Sequence, residues 1–229
     1  METSTGPLAL VGGGEWTDGC SFDGELLAAS GHDEVVVLPT AAAYERPERV
    51  VLRAAEWFAA LGGRVEGLMV LGRRDAEDEG AAEVVRRARF VYLSDGSPLH
   101  LRSVLKGSKV LDALRQAWAD GAVVAGSGAG AMVLTDPMVD PRGGALTVGL
   151  GLVEGLALVT HFGEAAEDLT GEKLHRSVAL APRGLPVVGL PERTALVRTA
   201  GAWRAAGSGI TVFVDGAPSP AGLEALGGS

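Results

Sequence analysis

Ala122-Val123-Val124-Ala125-Gly126-Ser127-Gly128-Ala129-Gly130-Ala131-Met132-Val133-Leu134 is the stretch that decides the fold. A short β-branched run meets a tight glycine turn and then an apolar helical segment. This is the strand, turn and helix context of a G-x-S-x-G nucleophile elbow. There a sharp bend holds its central residue in a strained conformation at the strand's C-terminal end, and the next backbone N–H is free to bind an oxyanion. Gly126 and Gly130 take the flanking glycine positions. The central position is Gly128, which carries no hydroxyl.

Working outward, β-branched runs alternate with amphipathic segments, the pattern of βαβ units around a parallel sheet. Strands are predicted at Pro7–Val11, Glu34–Leu38, Arg64–Leu71, Phe90–Leu93 and Ala122–Ala125, and helices at Phe22–Ser30, Pro47–Leu61, Ala81–Arg89 and Val110–Ala119. The Pro47–Leu61 segment is the clearest helix: Val50, Val51, Ala54, Trp57, Phe58 and Leu61 recur at three- and four-residue intervals, with proline at its start. Beyond Asp136 prolines and glycines break the pattern. Strands are expected at Leu156–Val159, Val187–Leu190, Ala195–Arg198 and Ile210–Val214, with one helix at about Glu167–Ala179. This half reads as strands added to the sheet edges plus a small β-rich cap. No linker divides the chain, so residues 1–216 are taken as one α/β domain and 217–229 as a frayed C-terminal tail.

The 229 residues are 47% hydrophobic and 21% charged, enough apolar material for a large core and too little polarity for disorder. A net charge of -9 with scattered basic residues argues against nucleic acid or an anionic membrane as partner. The single cysteine, Cys20, makes no internal disulfide and no thiolate metal site. With no export signal or membrane span in the sequence, the expected location is the cytoplasm. No metal and no cofactor is expected: histidines lack ligand spacing, and the acidic run Asp75–Glu79 reads as a solvated helix entrance. Gly12-Gly13-Gly14 does not complete a dinucleotide fingerprint, which needs a glycine at Thr17.

Four segments in this order, Val11–Glu15, Ala125–Met132, Thr160-His161-Phe162 and Gly189–Leu196, resemble the S51 serine peptidases, the family of cyanophycinase and aspartyl dipeptidase. The resemblance covers most of the chain. It implies a flavodoxin-like three-layer sandwich, similar to class I glutamine amidotransferases, and a Ser-His-acid triad with the serine in G-x-S-A-G-A. Matched residue by residue, the nucleophile position falls on Gly128, the general base on His161 and the acid on Glu192. The family's glycine-rich oxyanion loop falls on Ser94-Asp95-Gly96-Ser97-Pro98, which has one glycine fewer. Gly14, Gly96, Gly128 and His161 would meet at the strand C-termini, with the N–H groups of Ala129 and Gly96 holding the oxyanion.

The residues themselves allow a site reading beside a bland one. His161 and Glu192 follow strands, where base and orienting acid converge in such sites, although Glu192 beside Arg193 also fits a surface ion pair. Ser127 is a secondary nucleophile candidate whose hydroxyl should point away from the crevice, because side chains alternate along a strand. The resemblance thus implies a hydrolase for small or acidic peptides in which the elbow serine is missing, a natural pseudoenzyme or a nucleophile variant, inactive or severely impaired. Gly128→Ser is expected to confer activity. The alternative is a non-catalytic binder of small peptides or amino acids with a regulatory role. The family also suggests a homodimer.

Overall fold

The side-chain alternation of the central strands sorts the apolar residues into two cores. Leu8, Leu10, Val36, Leu38, Val91, Leu93 and Val124 face one side of the sheet, and Ala9, Val11, Val35, Val37, Phe90, Tyr92, Val123 and Ala125 face the other. Their strands are β1 (Leu8–Val11), β2 (Glu34–Leu38), β3 (Arg64–Gly67), β4 (Phe90–Leu93) and β5 (Val123–Ser127). The computed structural model describes residues 5–163 and 169–227, and the side chains of the helix at 169–180 from His175 onward.

The helices are α1 (Phe22–Ser30), α2 (Pro47–Ala60), α3 (Arg73–Ala76), α4 (Glu79–Arg87), α5 (Pro98–Leu105), α6 (Lys109–Ala119), α7 (Ala129–Leu134) and α8 (Leu169–Leu180). Helices α1 and α2 place Phe22, Leu26, Ala54 and Phe58 on one face, while α4 to α7 cover the other, so the sheet is the middle of three layers. Phe58 is fully buried and meets Phe90 edge-on at 5.8 Å, so its truncation to alanine should cost about 3–5 kcal/mol.

After β5 come four two-residue strands, β6 (Thr135–Asp136), β7 (Met138–Val139), β8 (Leu146–Thr147) and β9 (Val153–Glu154). Then follow β10 (Ala157–Thr160), β11 (Val187–Leu190), β12 (Ala195–Thr199), β13 (Ala202–Ala206), β14 (Thr211–Val214) and β15 (Ala217–Pro218). Among the described residues the main sheet has seven strands in the order β13-β12-β1-β5-β4-β2-β3. β1 to β5 pair in parallel, and β12 and β13 add antiparallel at one edge. β10, β11, β14 and β15 form a second sheet. The flavodoxin-like α/β sandwich is therefore realised, with the smaller sheet beside it.

Some boundaries differ from expectation. β3 stops at Gly67 instead of Leu71, because beyond Leu68 the chain leaves the sheet to give the Val70 carbonyl to the Thr40 hydroxyl at 2.6 Å. The helix expected from Ala81 begins at Glu79, with Asp78 as its N-cap accepting from the Ala81 N–H at 2.9 Å. The chain end is not frayed through residue 227. β15 pairs with β14, and Leu223, Ala225 and Leu226 pack on the core. Among the described residues no helix is long and apolar enough to cross a membrane.

Candidate active site

The crevice forms where β1, β4 and β5 end side by side. β5 runs into Gly128, which adopts φ 49° and ψ −110° and starts α7. This bend is the sharp elbow expected from the sequence. Its flanking glycines are needed for space: a Cβ at Gly126 would press on the Gly130 backbone, and one at Gly130 on the Leu93 carbonyl. The Gly128 N–H is tied to the Val11 carbonyl at 3.0 Å, so the elbow is braced by the end of β1.

Beyond β4 the chain crosses above this elbow as Ser94-Asp95-Gly96-Ser97. Ser97 caps α5 by accepting from the His100 N–H, and its own N–H binds the Ala41 carbonyl at 2.8 Å, which fixes the loop at both ends. The fixed loop turns the Asp95 side chain onto Gly128. A Cβ on Gly128 would lie inside the van der Waals envelope of the Asp95 carboxyl carbon and both its oxygens. The space that a nucleophile's side chain would fill thus holds a carboxylate.

That carboxylate is fully engaged. Its Oδ1 accepts from the Ala129 N–H at 2.7 Å and from the Gly96 N–H at 2.7 Å. These are the two groups expected to hold an oxyanion, and they converge on one oxygen. Oδ2 lies 2.8 Å from His161 Nε2, and His161 Nδ1 lies 2.8 Å from Glu192 Oε1. The three side chains form a continuous Asp95, His161, Glu192 array. His161 follows β10 with φ 55°, its N–H bound to the Gly12 carbonyl at 2.7 Å. Its ring lies against Gly13, where any Cβ would collide with the imidazole. Glu192 follows β11 and comes near Gly14, whose added Cβ would meet Glu192 Oε2 at 3.1 Å. The glycine run after β1 is therefore the bed of the histidine and its acid.

The charges follow from this geometry. The hydrogen bond with Asp95 is the main reason that the His161 imidazole is held up at about 9; burial opposes it, and the Asp95 charge and Glu192 add to it. Burial alone would raise the Asp95 carboxyl, but the His161 hydrogen bond, the Ala129 N–H, the His161 charge and the Gly96 N–H outweigh it and hold it below its ordinary value. At neutral pH the array is an imidazolium between two carboxylates, so His161 already carries the proton that a general base must be able to take.

Ser127 lies where alternation placed it, away from the crevice. It is fully buried, and its Oγ donates to Glu15 Oε2 at 2.9 Å. Glu15 Oε1 in turn accepts from the Asp95 N–H at 3.3 Å and from Arg53 at 3.4 Å. Glu15 and Asp95 were not singled out from the sequence. The signal for Asp95 was there: the oxyanion loop loses a glycine in the same chain in which the elbow loses its serine. In Gly128→Ser the new side chain would have to displace the Asp95 carboxylate.

Two cavities open on this array and share Asp95, Gly96 and His161. One, of about 240 Å³, is walled chiefly by Pro98, Met132, Val139, Pro141 and Val159. The other, of about 530 Å³, is polar and includes Glu15, Glu45, Arg49 and Arg53.

Comparison with known proteins agrees with this architecture. The model of peptidase family S51 matches residues 8–205. Cyanophycinases of Synechococcus elongatus and Thermosynechococcus vestitus are each 29% identical over 200 residues, covering 82% of this chain and 60% of theirs. The chain thus spans about 60% of the length of these curated relatives. The crystal structure of a peptidase from an acI-B1 actinobacterium superposes with a TM-score of 0.81 at 25% identity, covering 96% of this chain and 95% of the other. A putative peptidase E from Listeria monocytogenes shares the fold with a TM-score of 0.66 at 16% identity, over 92% and 99% of the two chains. This chain belongs to peptidase family S51.

Proposed function

We propose that this chain is an S51-type hydrolase scaffold for small or acidic peptides in which serine acyl transfer is absent or severely impaired. The observation that carries the reading is the Asp95 carboxylate resting on Gly128, with Oδ1 on the Ala129 and Gly96 N–H groups. Acyl transfer to serine needs three things at once: a hydroxyl at the elbow, a neutral imidazole to take its proton and an open oxyanion hole. Here the first is missing, the second is protonated at neutral pH and the third holds the protein's own carboxylate. Arg49 and Arg53 line the polar cavity beside the carboxylates of Glu15, Glu45, Asp95 and Glu192, so its charge is mixed.

The second reading is a non-catalytic binder of small peptides or amino acids, favoured by the two cavities that stay open around the occupied elbow. Calorimetry with Asp-containing dipeptides beside a hydrolysis assay separates the two. The decisive experiment for the main reading is the double variant Asp95→Gly/Gly128→Ser, which vacates the hole and supplies the hydroxyl together. It should hydrolyse acidic dipeptides, while the wild type and Gly128→Ser should not. Wild-type turnover of about 1 s⁻¹ or faster, within the ordinary enzyme range, overturns the reading.

A further inference from the structure

Asp95 is the carboxylate that the serine mechanism leaves unexplained. One of its oxygens sits in a hole built of two N–H groups, and the other meets an imidazole that is backed by a second carboxylate. Beside it lies a cavity of about 240 Å³ with mostly apolar walls. A carboxylate is a poor nucleophile toward an amide, since attack there gives a mixed anhydride more reactive than the amide. Toward a saturated carbon it gives a stable ester, which then needs an oxyanion hole on the carboxyl oxygen and a histidine to deliver water. The Asp95 site has both in place.

We propose that Asp95 is the nucleophile of a second hydrolytic activity, opening small apolar epoxides to diols through an alkyl ester of its own side chain. The proposal rests on the reading that serine acyl transfer is lost. In the first step Asp95 Oδ2 forms a bond to a ring carbon, the ring C–O bond breaks and the ring oxygen takes the proton from His161 Nε2. The products are a 2-hydroxyalkyl ester of Asp95 and a neutral imidazole. His161 then takes a proton from water, and the hydroxide oxygen bonds to Asp95 Cγ. The negative charge gathers on Oδ1 between the Ala129 and Gly96 N–H groups.

Collapse breaks the Cγ–Oδ2 bond, and the departing alkoxide takes the proton from the imidazolium. The carboxylic acid left on Asp95 returns its proton to His161, which restores the starting state. The sum is epoxide plus water to diol. Oδ2 leaves in the diol, and the oxygen of water stays on Asp95. An epoxide fits this site because its leaving oxygen remains attached and asks only for a proton, which His161 holds at neutral pH. Glu192 acts through His161 as a positioning residue, and the apolar walls select a hydrocarbon substituent.

The test uses the full chain with styrene oxide and 1,2-epoxyhexane. Diol should form above the uncatalysed rate, and Asp95→Asn should lower it by about 10³-fold, as loss of a nucleophile does. With enzyme in excess in ¹⁸O-water, the first-turnover diol should be unlabelled, and mass spectrometry should find ¹⁸O in the peptide that contains Asp95. His161→Gln should also lose diol formation, because the same imidazole protonates the ring oxygen and activates the water. No diol from either epoxide, or ¹⁸O in the diol with an unlabelled Asp95, overturns the proposal. The isotope result needs no variant, so a misfolded mutant cannot mask it. Wild-type dipeptide hydrolysis, measured separately, reports on the loss of serine acyl transfer instead.

Discussion

Gly128→Ser and Asp95→Gly should be strongly coupled, because both remove the same set of interactions. Placing a Cβ on Gly128 drives the Asp95 carboxylate out of its bonds to the Ala129 N–H, the Gly96 N–H and His161. Hydrogen bonds to a charged group contribute about 1.5–3 kcal/mol each, part of which an evicted carboxylate regains from water. The serine also adopts the positive-φ elbow conformation, at a cost of about 1–3 kcal/mol. The single variant should therefore lose about 4 kcal/mol or more, at the severe end for one substitution. Asp95→Gly loses the same three bonds without the strain. The double variant loses them only once, so the two changes should couple favourably by about 2–3 kcal/mol, within the range for contacting residues. Urea unfolding of the four proteins, read as midpoints with the slope checked, measures this cycle. Additivity to within about 0.5 kcal/mol would refute the claim that the two side chains compete for one space.

The remaining predictions concern pH and the buried carboxylates. His161 is raised from 6.5 to about 9, so its stabilisation is complete below pH 6.5 and is lost as pH rises through 9; the lowered Asp95 loses its share only in acid, below its ordinary 3.8. Stability should fall more steeply between pH 6.5 and 9.5 in the wild type than in His161→Gln, and equal slopes would contradict the array. Asp23 is held up at about 7 by burial, against the Trp57 N–H bond and with the nearby Glu15 charge adding to it. The folded state therefore keeps a proton that the unfolded chain releases between pH 3.8 and 7, and stability falls across that window. Asp23→Asn should then gain roughly 2–4 kcal/mol at pH 8 and little at pH 4 by thermal unfolding. Ser127→Ala should cost about 1–3 kcal/mol by leaving a buried Glu15 oxygen without its donor. It should leave labelling by a fluorophosphonate probe unchanged, and loss of labelling would restore Ser127 as a nucleophile.

The elbow was legible because its residues are local: Val123–Ser127, the bend and α7 are contiguous, and the glycines are demanded by backbone contacts within a few residues. The same holds for β1, α1, β2 and β4, where apolar runs and breaks mark the ends. β13, Ala-Trp-Arg-Ala-Ala, was missed because its residues favour a helix and only pairing with β12 makes it a strand. The tail was misread because the partners of Leu223 and Leu226 lie far away in sequence. In the site, His161 and Glu192 were marked by the family resemblance, with their positions after strands in support. Asp95 was marked only indirectly, by the missing loop glycine, since nothing local tells a loop carboxylate to fold over an elbow 33 residues later. Glu15 was hidden for the same reason, its partners Ser127 and Asp95 being brought to it only by the order of strands β1, β5 and β4.

A high-resolution crystal structure of the unmodified chain at neutral pH is the sharpest trial of these ideas. It should show Asp95 Oδ1 within about 3 Å of both the Ala129 and Gly96 nitrogens and Oδ2 on His161 Nε2. An Asp95 side chain swung into solvent, with water or an anion alone in the hole above Gly128, would contradict them.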